Sequence, residues 1–124
     1  MLKSMVRTTG IDHVVLHVAD LERSKRFYID VLGMTVKEEI SGQVFLLCGD
    51  QMIGLFPVSG GELVQTGPEM NHMALTIDSG TYEELKAHLE DHGVEVRARP
   101  GNHRCVYFRD PDGHRLQFVI PRGH

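Results

Sequence analysis

The sequence predicts an α+β fold of two pseudo-symmetric βαβββ modules whose strands form a curved mixed sheet around a cleft. Three observations carry that expectation. Two β-rich segments open on a histidine, Asp12-His13-Val14-Val15-Leu16-His17-Val18 and Asn71-His72-Met73-Ala74-Leu75-Thr76-Ile77. Each is followed by a helical pattern closed by a glycine, Gly33 and Gly93, so the histidines repeat at a spacing of 59 (72 − 13) and the glycines at 60 (93 − 33). A near-constant offset is the mark of an internal duplication. Between the two units, residues 59–69 carry three glycines and a proline and read as a linker. The 124 residues thus suit one domain, with module one over about 10–58 and module two over about 70–121.

In module one the first strand spans 12–18, where short runs of β-branched residues favour extended backbone. Asp20 caps a helix over 21–32, in which Leu21, Ser24, Tyr28 and Val31/Leu32 follow helical spacing. Gly33 closes it in a left-handed conformation. Residues 34–39, 43–48 and 51–58 read as three strands, with Gly49-Asp50 turning between the last two. Module two repeats the order. A strand covers 71–77, and Thr81 and Glu84 form a capping box ahead of a helix to about His92. Strands follow at 94–98, 104–109 and 114–120, the last two joined by the turn Asp110-Pro111-Asp112-Gly113.

Composition narrows the function. A formal net charge of −4 argues against a broad nucleic-acid surface. The longest apolar runs are strand-sized, which argues against a membrane span, and residues 1–7 lack a signal-peptide core, so a cytoplasmic protein is expected. Cys48 and Cys105 have no metal-like or redox-like spacing and read as reduced thiols. The six methionines are scattered and read as core filler.

Side chains alternate across a strand. Val14, Leu16 and Val18 therefore share one face of the first strand, and His13, Val15 and His17 the other. Met73, Leu75 and Ile77 oppose His72, Ala74 and Thr76, while Leu116, Phe118 and Ile120 oppose Gln117. With the helices covering the apolar faces, His13, Gly54, His72 and Gln117 are left on the open side.

These segments resemble the vicinal oxygen chelate superfamily, the glyoxalase/bleomycin resistance/dioxygenase group. The resemblance runs from about Ile11 to Ile120. It is carried by the two histidine strands, by Asp20-Leu21-Glu22-Arg23-Ser24, by Phe27 to Met34 and by Asp110 to Leu116. It implies a divalent metal, Mn, Fe, Ni or Zn, held at the positions of His13, Gly54, His72 and Gln117. His13 and His72 match the family's ligands. Gly54 has no side chain to offer, and Gln117 stands where thiol transferases and extradiol dioxygenases carry glutamate.

Two imidazoles and an amide oxygen leave the metal's charge unbalanced, so affinity falls while Lewis acidity is retained. A glyoxalase I isomerisation needs a positioned carboxylate base, and neither Gly54 nor Gln117 is one. The departures therefore point to thiol transfer, with a thiol cosubstrate, or to dioxygenase-like chemistry. Tyr107 and the 110–116 turn resemble the fosfomycin thiol transferases, although Val15 replaces an expected threonine. The alternative is a non-catalytic ligand-binding protein resembling bleomycin resistance proteins. A former enzyme kept as a partner domain is a third option.

Among other candidates, His17 shares the His13 face and, with Tyr107, is a candidate substrate contact. His88 and His92 have metal-capable spacing, but a solvated helix end is the preferred reading. His103 and His114 flank strand ends, His124 is terminal, and Cys105 has no activating partner. Arg97, Arg99, Arg104 and Arg109 read as solubilising charges or as a basic set for an anionic substrate. A homodimer is expected, since sheet edges and an open cleft need cover. The partner is then a small-molecule ligand.

Overall fold

The computed structural model describes residues 5–60, 62–99 and 102–120, with backbone only at 98, 99, 102 and 103. The element order is β1 (His13–Val18), α1 (Leu21–Arg26), a π-turn (Phe27–Val31), β2 (Thr35–Ile40), β3 (Gln43–Cys48), β4 (Gln51–Pro57), β5 (Met73–Thr76), α2 (Tyr82–Asp91), β6 (Arg97–Arg99), β7 (Asn102–Arg109) and β8 (Arg115–Val119). The expected α+β class and the repeated βαβββ order are observed. The strands fall into two open four-stranded sheets, ordered β1-β4-β3-β2 and β5-β8-β7-β6. In each, the first strand runs parallel to the last and the remaining pairs are antiparallel.

Local chemistry accounts for most boundaries. Asp20 accepts from the Arg23 N–H, and the Thr81/Glu84 capping box is complete on both sides. Gly33 and Gly93 take φ of 74° and 77°, the left-handed values that end each helical segment. Three expectations need correction. The first helix is not α-helical to Leu32 but widens into a π-turn after Arg26. That extra residue per turn lets the consecutive side chains Phe27 and Tyr28 both bury. β5 begins at Met73, so His72 stands just before the strand. β6 covers three residues rather than five, with a register shift between Arg97 and Arg99 breaking the ladder.

The helices pack on one face of the sheets, where the alternating apolar residues converge. Leu46, Leu55, Leu89, Leu116 and Val106 are fully buried, with Phe108 nearly so. Each such large side chain contributes about 1.5–3 kcal/mol relative to exposure. The modules are joined by the 110–113 turn. Asp112 accepts from the Ala19 N–H (2.9 Å), the Arg23 guanidinium (3.1 Å) and the Ser24 hydroxyl (3.1 Å). Tyr28 donates to Asp110 (2.8 Å), and His114 Nε2–H donates to the His17 carbonyl (2.8 Å). His114, which flanks a strand end, is buried in this join. Among the described residues no helix is long and apolar enough to cross a membrane.

Candidate metal centre

The helix-free faces carry the expected site residues. On the first sheet, His13, Val15 and His17 of β1 are exposed. Register places Gly54 of β4 beside Val15 and Phe45 of β3 beside Gly54. On the second sheet, Gln117 of β8 lies beside Ala74 of β5 and Tyr107 of β7. Gly54 and Gln117 are thus equivalent positions, as are Phe45 and Tyr107. Each histidine meets its module's aromatic ring edge-on, His13 to Phe45 at 5.7 Å and His72 to Tyr107 at 6.4 Å.

A second matched feature was not assigned from the sequence. His13 Nδ1–H donates to the carboxylate of Asp12 (2.7 Å), and His72 Nδ1–H donates to the amide oxygen of Asn71 (3.0 Å). Both acceptors are oxygens, so in the neutral rings the hydrogen sits on Nδ1 and Nε2 keeps its lone pair. Metal-bound histidines are oriented in this way by an outer hydrogen bond. The signal was present in the sequence, since an Asx residue precedes each strand histidine.

Gln117 fits the same role. It is 7% exposed, yet no described group hydrogen-bonds its amide. No fully buried side-chain polar atom lacks a partner, so that amide must reach the open face of its sheet. Imidazole and amide oxygen are donor types that suit a divalent transition metal. No cluster of three or more His, Cys, Asp or Glu side chains suited to a metal occurs among the described residues.

Gly54 is not an open fourth position. A Cβ there would lie 3.0 Å from the Phe45 ring and 3.2 Å from Val15. The space beside Gly54 on the open face of module one is therefore filled by apolar and aromatic groups, with Phe45 and Phe56 also in edge contact at 5.7 Å. The face of module two is cationic. His72, Tyr107, Arg97, Arg109 and Arg115 line one cavity of about 290 Å³, in which neither His13 nor His17 takes part. His17 lines a larger groove of about 700 Å³ with Val14, Val15, Met70 and His114. Cys48 and Cys105 are free thiols, and burial pushes the Cys48 thiol up. Burial also raises Tyr28 well above 10.0, with the Asp110 charge adding to it. The side chains of Arg99, His103 and His124 lie outside the described residues.

This fold, two βαβββ modules that each open with a histidine at or just before the first strand, defines a class of duplicated α+β proteins. The sequence profile of the Glyoxalase/Bleomycin resistance protein/Dioxygenase superfamily matches residues 10–118, and the chain belongs to that superfamily. It is 32% identical over 116 residues to glutathione transferase FosA of Serratia marcescens, covering 90% of this chain and 80% of that one. It is also 32% identical to biphenyl-2,3-diol 1,2-dioxygenase 3 of Rhodococcus globerulus, over 94% of this chain and 65% of that enzyme. The fosfomycin resistance protein FosX of Mesorhizobium loti superposes with a TM-score of 0.74 at 26% identity, covering 94% of this chain and 96% of that one.

Proposed function

We propose that this protein is a metal-dependent enzyme acting on a small oxygenated anion, with His13 and His72 as metal ligands through Nε2 and Gln117 as a third. The observation that carries this is the matched pair of Asx–His hydrogen bonds, each leaving an Nε2 lone pair on an open sheet face. When bound, Mn, Fe, Ni or Zn supplies Lewis-acid polarisation of adjacent substrate oxygens. The chain's own groups do the rest. Tyr107 and the arginines at 97, 109 and 115 orient the anionic end, while Phe45, Phe56 and Val15 exclude water from the opposite side. His17 contacts the substrate from the neighbouring groove.

With no carboxylate at 54 or 117, proton abstraction beside a carbonyl lacks its base. Thiol transfer needs none at those positions. A carbon–sulfur bond forms at an electrophilic carbon, a carbon–oxygen bond breaks, and the thiol proton ends on the leaving oxygen. The name of glutathione transferase FosA agrees with this direction. The second reading is ligand binding without turnover, favoured by the apolar filling of the Gly54 position.

Metal-loaded protein incubated with glutathione and an anionic epoxide such as fosfomycin separates these readings. Loss of free thiol that requires His72 supports transfer. Binding of the anion without thiol loss, and without oxygen uptake on a vicinal diol, supports the second reading. We infer further that the chain acts as a homodimer, because all six β2 residues are exposed, Val36 at 41% and Ile40 at 52%. Light scattering at micromolar concentration should give twice the 14.0 kDa chain mass.

A further inference from the structure

We propose that His88 and His92 form a second metal site, at the C-terminal end of α2, which takes a borderline first-row divalent cation such as zinc. It does not rest on the reading of His13 and His72. The two residues are one helical turn apart, so their side chains rise on the same face. Their ring centroids lie 4.8 Å apart, with planes inclined by 56°. A zinc ion sits about 2.0–2.1 Å from an imidazole nitrogen, which puts it roughly 3.2 Å from the ring centre. Two rings sharing one ion at a near-tetrahedral angle therefore have centroids about 5 Å apart. The observed ring separation is compatible with that spacing.

The protonation of the rings is settled by their partners. His88 Nε2 lies 2.7 Å from the Val31 carbonyl, and His92 Nδ1 lies 2.9 Å from the His88 carbonyl. A carbonyl oxygen only accepts, so both of those nitrogens carry hydrogen. In the neutral rings, His88 Nδ1 and His92 Nε2 then hold lone pairs, and no described group engages either atom. Each ring is anchored to a backbone carbonyl through one nitrogen and open at the other, the arrangement that orients metal-bound histidines.

The sequence spacing alone favoured a solvated helix end for this pair. The structure changes that reading, because His88 is half-buried and tied across the module boundary to the π-turn. An all-imidazole pair selects zinc, nickel or copper over magnesium, calcium or manganese. Water completes the coordination. Coordination at Nδ1 withdraws charge from the His88 ring and strengthens its Nε2–H as a donor to Val31. An occupied site would therefore tighten the join between α2 of module two and the π-turn of module one.

Zinc titration of the full-length ¹⁵N-labelled chain at mildly alkaline pH, read at the imidazole nitrogens, tests this directly. His13→Ala/His72→Ala serves as the background, so that failure of the main metal centre and failure of this site are distinguishable. The expected result is that His88 Nδ1 and His92 Nε2 shift together on zinc addition. His92→Gln, at an exposed position that leaves the Val31 bond intact, should then weaken zinc binding at least about tenfold, the smallest loss typical of perturbing a ligand's surroundings. Unmoved resonances up to millimolar zinc, or wild-type affinity in His92→Gln, would overturn the proposal.

Discussion

The open faces of the two modules differ far more than their backbones do. Both sheets share strand order and pairing sense, and both place a histidine, its Asx partner and an aromatic ring at equivalent positions. Around that shared frame, module one presents Phe45, Phe56 and Val15, and module two presents three arginines and a tyrosine. The covered faces must bury apolar groups in both halves, which keeps them alike. The open faces are free of that demand, so their divergence reports what each half contributes to a ligand. In the proposed site, module one would supply an apolar wall and a histidine, and module two charge, a histidine and an amide.

The comparison can be broken most severely at Gly54. Gly54→Glu would place a carboxylate at the position equivalent to Gln117, but Phe45 and Val15 already fill that space. Overpacking costs about 1–3 kcal/mol. The variant is expected to lose that much in urea denaturation without binding metal more tightly. Tighter binding with unchanged stability would show that the wall is not closed.

The Asx partners give the next largest effect. Removing an outer hydrogen bond from a ligating histidine costs about 10–100-fold in metal affinity. Asp12→Ala should lie toward the upper end of that range, because Asp12 also offsets the metal's charge. Asn71→Ala should lie toward the lower end, since only a neutral acceptor is lost. Equal losses in isothermal titration would remove the electrostatic distinction between the modules.

The smallest effect is on pH dependence at the join. Burial pushes the Asp110 carboxyl up from 3.8, against the hydrogen bonds from Tyr28, His114 and Asp112 that pull it down. The folded chain then binds this proton more tightly than the unfolded chain. The group is therefore neutral in effect below the unfolded value and lowers stability as pH rises through the raised folded value. Asp110→Asn should abolish this part of the slope between acid and neutral pH, as read from thermal midpoints. An unchanged slope would contradict it.

The two-module order, both helix caps and both closing glycines were legible in the sequence, because each follows from local pattern. The π-turn was not, since it answers a tertiary demand: Phe27 and Tyr28 are adjacent yet both buried. His88 read as a surface residue because its acceptor, the Val31 carbonyl, lies 57 positions away in the chain. Phe45 was passed over because nothing local marks it as the ring that fills the Gly54 position. The burial of His114 also depends on a distant carbonyl, that of His17.

The central claim is that the Nε2 atoms of His13 and His72, with Gln117, hold one divalent metal. Manganese binding after chelation, followed by the loss of the free-ion electron paramagnetic resonance signal, tests it most directly, because the imidazole pair at 88 and 92 is a poor manganese site. One manganese per chain is expected in the wild type, weakened binding in Gln117→Leu, and none in a folded His13→Ala/His72→Ala variant. Undiminished manganese binding by that folded double variant would contradict it.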